Sequence, residues 1–111
     1  MILSHTDNYI RNCMNAWLLC EACIHSEGQK LFPKEKLLEA CKSCSGSCLS
    51  LAAVFISNPL QAEQQVFDCF LSCRECYNEC LLYQEEDILY CGSVCDKCAE
   101  MIKELLLFNP N

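Results

Sequence analysis

The chain has 111 residues, enough for one compact core and too few for two. Eight basic against fifteen acidic side chains leave a net charge of −7, which speaks against a nucleic-acid partner and against binding to an anionic membrane surface. Cysteine is the anomaly: 13 residues, beside only three glycines and three prolines, describe thiols on a regular scaffold and not a loop-rich disulfide mini-protein.

The first residues, MILSHTDNYIRNC, have no basic start, no long apolar stretch and no small-residue cleavage site, so no secretory signal is expected. The longest apolar run, around Leu51 to Ile56, is far short of the roughly 18 residues that span a bilayer. The expected compartment is the cytosol, where thiols stay reduced and dense cysteine favours metal over bridges. An odd number of cysteines also rules out complete pairing within one chain.

Apolar and cysteine positions recur at steps of three and four, the periodicity of amphipathic helices, and strand alternation is absent. The first predicted helix runs over 5–26 and ends before Gly28 and Pro33, which bracket a linker. The second covers 34–57 and stops at Asn58-Pro59, with Asn58 read as the N-cap of the next helix and Pro59 as its first position. The third covers 60–83. No Gly or Pro separates it from the fourth, over 86–107, yet one helix through both would be about 70 Å long and leave its thiols without partners. The acidic residues Glu85, Glu86 and Asp87 suit the positive end of a new helix, so a tight turn is expected near Tyr83–Glu86. Asn109-Pro110 closes the last segment. The expected fold is all-α: a single domain over 1–111, folded as an antiparallel up-down four-helix bundle.

On a helical wheel, Cys41, Cys44 and Cys48 share an arc of about 60°, as do Cys69, Cys73, Cys76 and Cys80, and again Cys91, Cys95 and Cys98. Cys13, Cys20 and Cys23 spread over about 80°. Four thiol stripes facing one another give a cysteine-lined core. Leu51, Ala52, Phe55, Val66, Ile102 and Leu105 should plug one end with hydrocarbon. Cys23, Cys80 and Cys91 approach the other, a thiol-rich mouth with His25 nearby. His25 itself projects off the thiol arc, and Trp17 falls beside it as core packing. Phe70, Tyr77, Leu81 and Val66 make a further apolar face on the third helix, suited partly to packing and partly to a contact between copies.

The stripes contain four CxxC steps (Cys20/Cys23, Cys41/Cys44, Cys73/Cys76, Cys95/Cys98) and four CxxxC steps (Cys44/Cys48, Cys69/Cys73, Cys76/Cys80, Cys91/Cys95). On a helix both spacings put two sulfurs within reach of one ion. Thiolates select Cu(I), zinc and iron–sulfur clusters. Zinc held by four thiolates carries a net charge of −2, costly to stack in a core whose stripes offer no Lys or Arg. Cu(I) with one thiolate per ion is neutral, and bridging sulfurs let many ions share ligands. The charge argument favours many copper(I) ions over a few zincs.

The series CxxxxxxCxxC, CxxCxxxC, CxxxCxxCxxxC and CxxxCxxC, from Cys13 to Cys98, resembles the copper storage proteins. The resemblance implies a bundle loading many Cu(I) ions inside, in oligomers that are typically tetramers. It also implies that His or Met residues at the open end help ions in. Here His25 alone stands near that end, since Met14 and Met101 fall elsewhere. With His25, the thirteen cysteines form the candidate ligand set. Alternatives remain a zinc or iron–sulfur module using a few CxxC pairs, and a thiol–disulfide redox sensor. No Ser/His/Asp set, phosphate loop or HExxH helix points to catalysis, so the chain is expected not to be an enzyme.

Overall fold

The computed structural model describes residues 2–107, with side chains from Thr6 to Leu106; the stop at Asn109-Pro110 lies outside them. Four α-helices account for almost all of it: α1 Ile2–Gly28, α2 Glu35–Ser57, α3 Glu63–Cys80 and α4 Glu86–Leu107. No strand occurs among the described residues.

The core positions explain why these segments are helices and why they assemble. Buried residues recur as Cys13, Ala16, Cys20, Cys23 and Glu27 on α1, and as Leu37, Cys41, Cys44, Cys48, Leu51 and Phe55 on α2. They continue as Val66, Cys69, Cys73, Cys76 and Cys80 on α3, and as Ile88, Cys91, Cys95, Cys98 and Ile102 on α4. Steps of three and four alternate strictly, the spacing that turns one narrow seam of each helix towards the bundle axis. Cysteine occupies most of that seam.

Each helix packs along two others: α1 on α2 and α4, α3 on α2 and α4. The molecule measures 46 × 22 × 20 Å, little more than the length of α1, so consecutive helices must fold back antiparallel. Across the α3–α4 seam Arg74 donates to Asp96 at 2.6 Å and to Glu100 at 3.3 Å. Gly92 lets the same two helices close up at Cys80: a Cβ there would stand 2.7 Å from the Cys80 Cβ.

Two boundaries differ from the sequence reading. Pro59 opens a short 3-10 turn over Pro59–Gln61, and α3 begins only at Glu63; the Asn58 side chain caps nothing. Proline's fixed φ suits the first position of either helix type, so the sequence signal could not tell them apart. At its other end α3 stops at Cys80, and the turn to α4 takes Leu81 to Glu85. The expected acidic start of α4 is present: Glu86 and Asp87 lie in its first turn.

By length and composition α2 is apolar enough to cross a membrane, with a stretch of mean hydropathy 1.3. Short apolar runs hid this, because the hydropathy is spread over the whole helix. Its apolar seam from Leu37 to Phe55 is buried in the bundle.

Candidate metal centre

All thirteen cysteines are buried free thiols. Their sulfurs form one connected column, built from close pairs that cross between helices. Cys20 on α1 lies 3.5 Å from Cys95 on α4 and 4.0 Å from Cys76 on α3. Cys76 is 3.8 Å from both Cys41 and Cys95. Cys44 continues the column, 3.6 Å from Cys73 and 3.7 Å from Cys95. Cys48 stands 3.7 Å from Cys69 and from Cys73. At one end Cys13 reaches Cys69 and Cys98. At the other, Cys23 reaches Cys41 and Cys91, and Cys80 reaches Cys41 and Cys76.

Three sets of four sulfurs have all members within 4.8 Å of one another: Cys20, Cys41, Cys76, Cys91; Cys20, Cys44, Cys76, Cys95; and Cys48, Cys69, Cys73, Cys98. Tetrahedral zinc with bonds of about 2.3 Å has sulfur–sulfur edges of about 3.8 Å, so spacing alone admits several soft ions. The first two sets share Cys20 and Cys76 and cannot both be independent four-coordinate sites. Sulfurs that bridge ions fit this arrangement. His25 is exposed in the last turn of α1 and belongs to none of the three sets.

Protonation follows the same contacts. Thiol donation from Cys20, Cys23, Cys41 and Cys76 holds Cys91 well below the ordinary thiol range. Cys44 is lowered in the same way by Cys20, Cys48 and Cys76, and Cys98 by Cys13, Cys48, Cys69 and Cys73. The donors move the other way: Cys20 and Cys73 are raised by their sulfur partners and by burial. The first two sets thus each hold one lowered thiol, Cys91 and Cys44, and the third holds two, Cys69 and Cys98.

Among the described residues the buried polar and charged side chains are Glu27, Ser45 and Ser72, with no Lys or Arg. A stack of dianionic zinc tetrathiolates would have no buried cation beside it. Neutral thiolate–metal units need none.

Both ends of the column carry buried hydrocarbon. Leu51, Ala52, Phe55, Val66 and Ile102 are buried at the far end as expected, with Leu105 packed against them and Tyr9 stacked on Phe55 at 5.6 Å. The thiol-rich end is not the open mouth the sequence suggested. Leu37 and Ile88, in the first turns of α2 and α4, are fully buried there. Glu27, 2% exposed, pairs with Lys30 and Lys34 and accepts the Lys34 backbone N–H at 3.0 Å. Lys34 also bridges to Glu85 at 2.9 Å, joining the α1–α2 linker to the α3–α4 linker. Burial alone would raise the Glu27 carboxyl, but Lys30 and Lys34 hold it below its ordinary value.

A family model described as copper storage protein matches residues 3–107. The chain belongs to the copper storage protein family. No curated protein and no solved structure matches it. Ten of its buried cysteines cluster in groups able to hold a metal ion. Met14 and Met101, both half-buried, lie towards the far end, away from Cys23.

Proposed function

We propose that the protein stores and buffers copper(I), holding many ions as thiolate complexes along the bundle axis. The observation that carries this reading is the continuity of the column: every thiol is buried, each has sulfur neighbours, and no buried cation accompanies them among the described residues. The proposed ligands are Cys13, Cys20, Cys23, Cys41, Cys44, Cys48, Cys69, Cys73, Cys76, Cys80, Cys91, Cys95 and Cys98. His25 is left outside the store because its ring faces solvent. The chain acts as one domain and is not an enzyme, since a buried field of thiols presents no exposed nucleophile. Such a set of reduced thiols suits the cytosol.

The protein also works as a homo-oligomer, a tetramer by family likeness. Phe67 and Leu71 on α3 and Leu81 just beyond its end are exposed and supply an apolar face, whereas of the residues expected there Val66 is buried and Phe70 packs against the core. Sedimentation of the reduced protein tests this, and a monomer at every concentration would refute it.

One observation favours a second reading. The set Cys48, Cys69, Cys73 and Cys98 shares no sulfur with the other two and matches a single four-coordinate zinc or iron–sulfur site. An anaerobic Cu(I) titration of the reduced protein against a coloured chelator separates the two. Uptake approaching one ion per thiol supports the store. Saturation at one to three ions, or zinc that copper does not displace, supports the discrete site.

A further inference from the structure

We propose that copper(I) enters the column from the side, through a cleft between α1 and α4 whose inner wall is Cys23, and not along the bundle axis. The inference rests on the storage reading and names its inlet. An axial ion would have to pass hydrocarbon at either end: Leu37 and Ile88 are buried at one, and at the other Leu51 and Phe55 are buried beside a pocket whose wall includes the apolar Ala62, Val66 and Leu105. Hydrocarbon offers a soft cation no ligand to replace the ones it leaves. At the thiol-rich end it would also have to part the ion pairs that join Glu27, Lys30, Lys34 and Glu85.

The flank is different. Cys23 is 9% exposed, while the other twelve cysteines show 1% or none. It lines a cleft of about 100 Å³ together with Leu19, Ala22, Asp87 and Tyr90. Ala22 is exposed, and its single methyl leaves free the space that a larger side chain would fill. The Asp87 carboxylate sets a negative charge in the wall, fixed in place as Oδ1 accepts the Ile88 N–H at 3.0 Å. Behind Cys23 stand Cys41 and Cys91, both members of the first four-sulfur set, so the thiols continue without a gap from cleft to column.

Transfer along this line is an exchange of ligands. A donor thiolate carrying Cu(I) meets the Cys23 thiol; a Cu–S bond to Cys23 forms as the bond to the donor breaks. The Cys23 proton passes to the donor sulfur. A second exchange moves the ion to Cys41 or Cys91, whose proton returns to Cys23. Copper stays Cu(I) throughout, and no oxidant is needed.

Two measurements test the inlet. In anaerobic stopped-flow mixing with the Cu(I)–glutathione complex, Ala22→Trp should load at least tenfold more slowly than the unsubstituted protein, to the same final number of ions. Glu27→Gln, which loosens the axial closure, should load at the unsubstituted rate. Unslowed loading by Ala22→Trp, or faster loading by Glu27→Gln, overturns the proposal. The second measurement involves no metal: limited iodoacetamide treatment of the reduced apoprotein, read by peptide mass mapping, should label Cys23 first. Earlier labelling of any other cysteine overturns it. Should the storage reading fail, the unsubstituted protein itself saturates at a few ions, while the order of labelling still decides the inlet.

Discussion

A buried thiol is a small apolar side chain as well as a ligand, so removing one differs from removing a plug residue. Leu51 is fully buried among Phe55, Val66 and Ile102 at the far end, with no part in holding an ion. Leu51→Ala should cost about 2–5 kcal/mol in urea unfolding of the apoprotein and leave copper capacity unchanged once folded. A lowered capacity would mean that the plug shapes the store. Glu27 has the opposite character, a carboxylate whose value depends on pH. Its folded pKa lies below the ordinary carboxylate value of about 4.3, so its ion pairs stabilise the fold fully above that pH. That stability is lost as pH falls through the lowered folded value. The stability gap between the unsubstituted apoprotein and Glu27→Gln should be constant from about pH 5 to 7 and close below about pH 4. A gap that persists in acid would show that the carboxyl acts through packing and not through its charge.

At the level of helices, the alternation of three and four steps made the four elements and their inward faces readable from sequence. Cysteines at those steps carried most of the site with them, including Cys13, which lies seven residues from its nearest sequence neighbour yet meets Cys69 and Cys98. The closed end was not readable. Leu37 and Ile88 look like any apolar residue in a first turn, and Glu27 finds Glu85's partner Lys34 only after α1 and α2 have folded back. Gly92 was equally silent: a helical glycine lowers propensity, and only its approach to Cys80 explains it. Gly92→Ala should push α4 away from α3. Overpacking costs about 1–3 kcal/mol and better helix propensity returns about 0.5–1, leaving a net loss in denaturant unfolding. Unchanged or higher stability would mean that the two helices separate there without strain.

For the whole molecule the division of labour between hydrocarbon and sulfur decides how folding relates to loading. Small metal-dependent domains are unfolded without their ion because the ion supplies most of what holds them together. Here the seam is filled along its length before any ion arrives: thiols close-packed at 3.5–4.0 Å in the middle, leucine, isoleucine and phenylalanine at the ends. Arg74 and the Glu27–Lys34–Glu85 group join helices and linkers independently of metal. The reduced apoprotein should therefore already show the far-ultraviolet circular dichroism of a mostly helical chain, changing little with copper. Its thermal midpoint should instead rise with successive equivalents, because each ion bound to the folded state alone adds stability, about 2.7 kcal/mol for a site at a hundredfold excess of free ion over Kd. A rise that continues towards one ion per thiol places ligands along the entire column. A chain that gains its helices only on adding copper would show that the plugs and ion pairs do not suffice, and that sulfur–metal bonds are part of the fold itself.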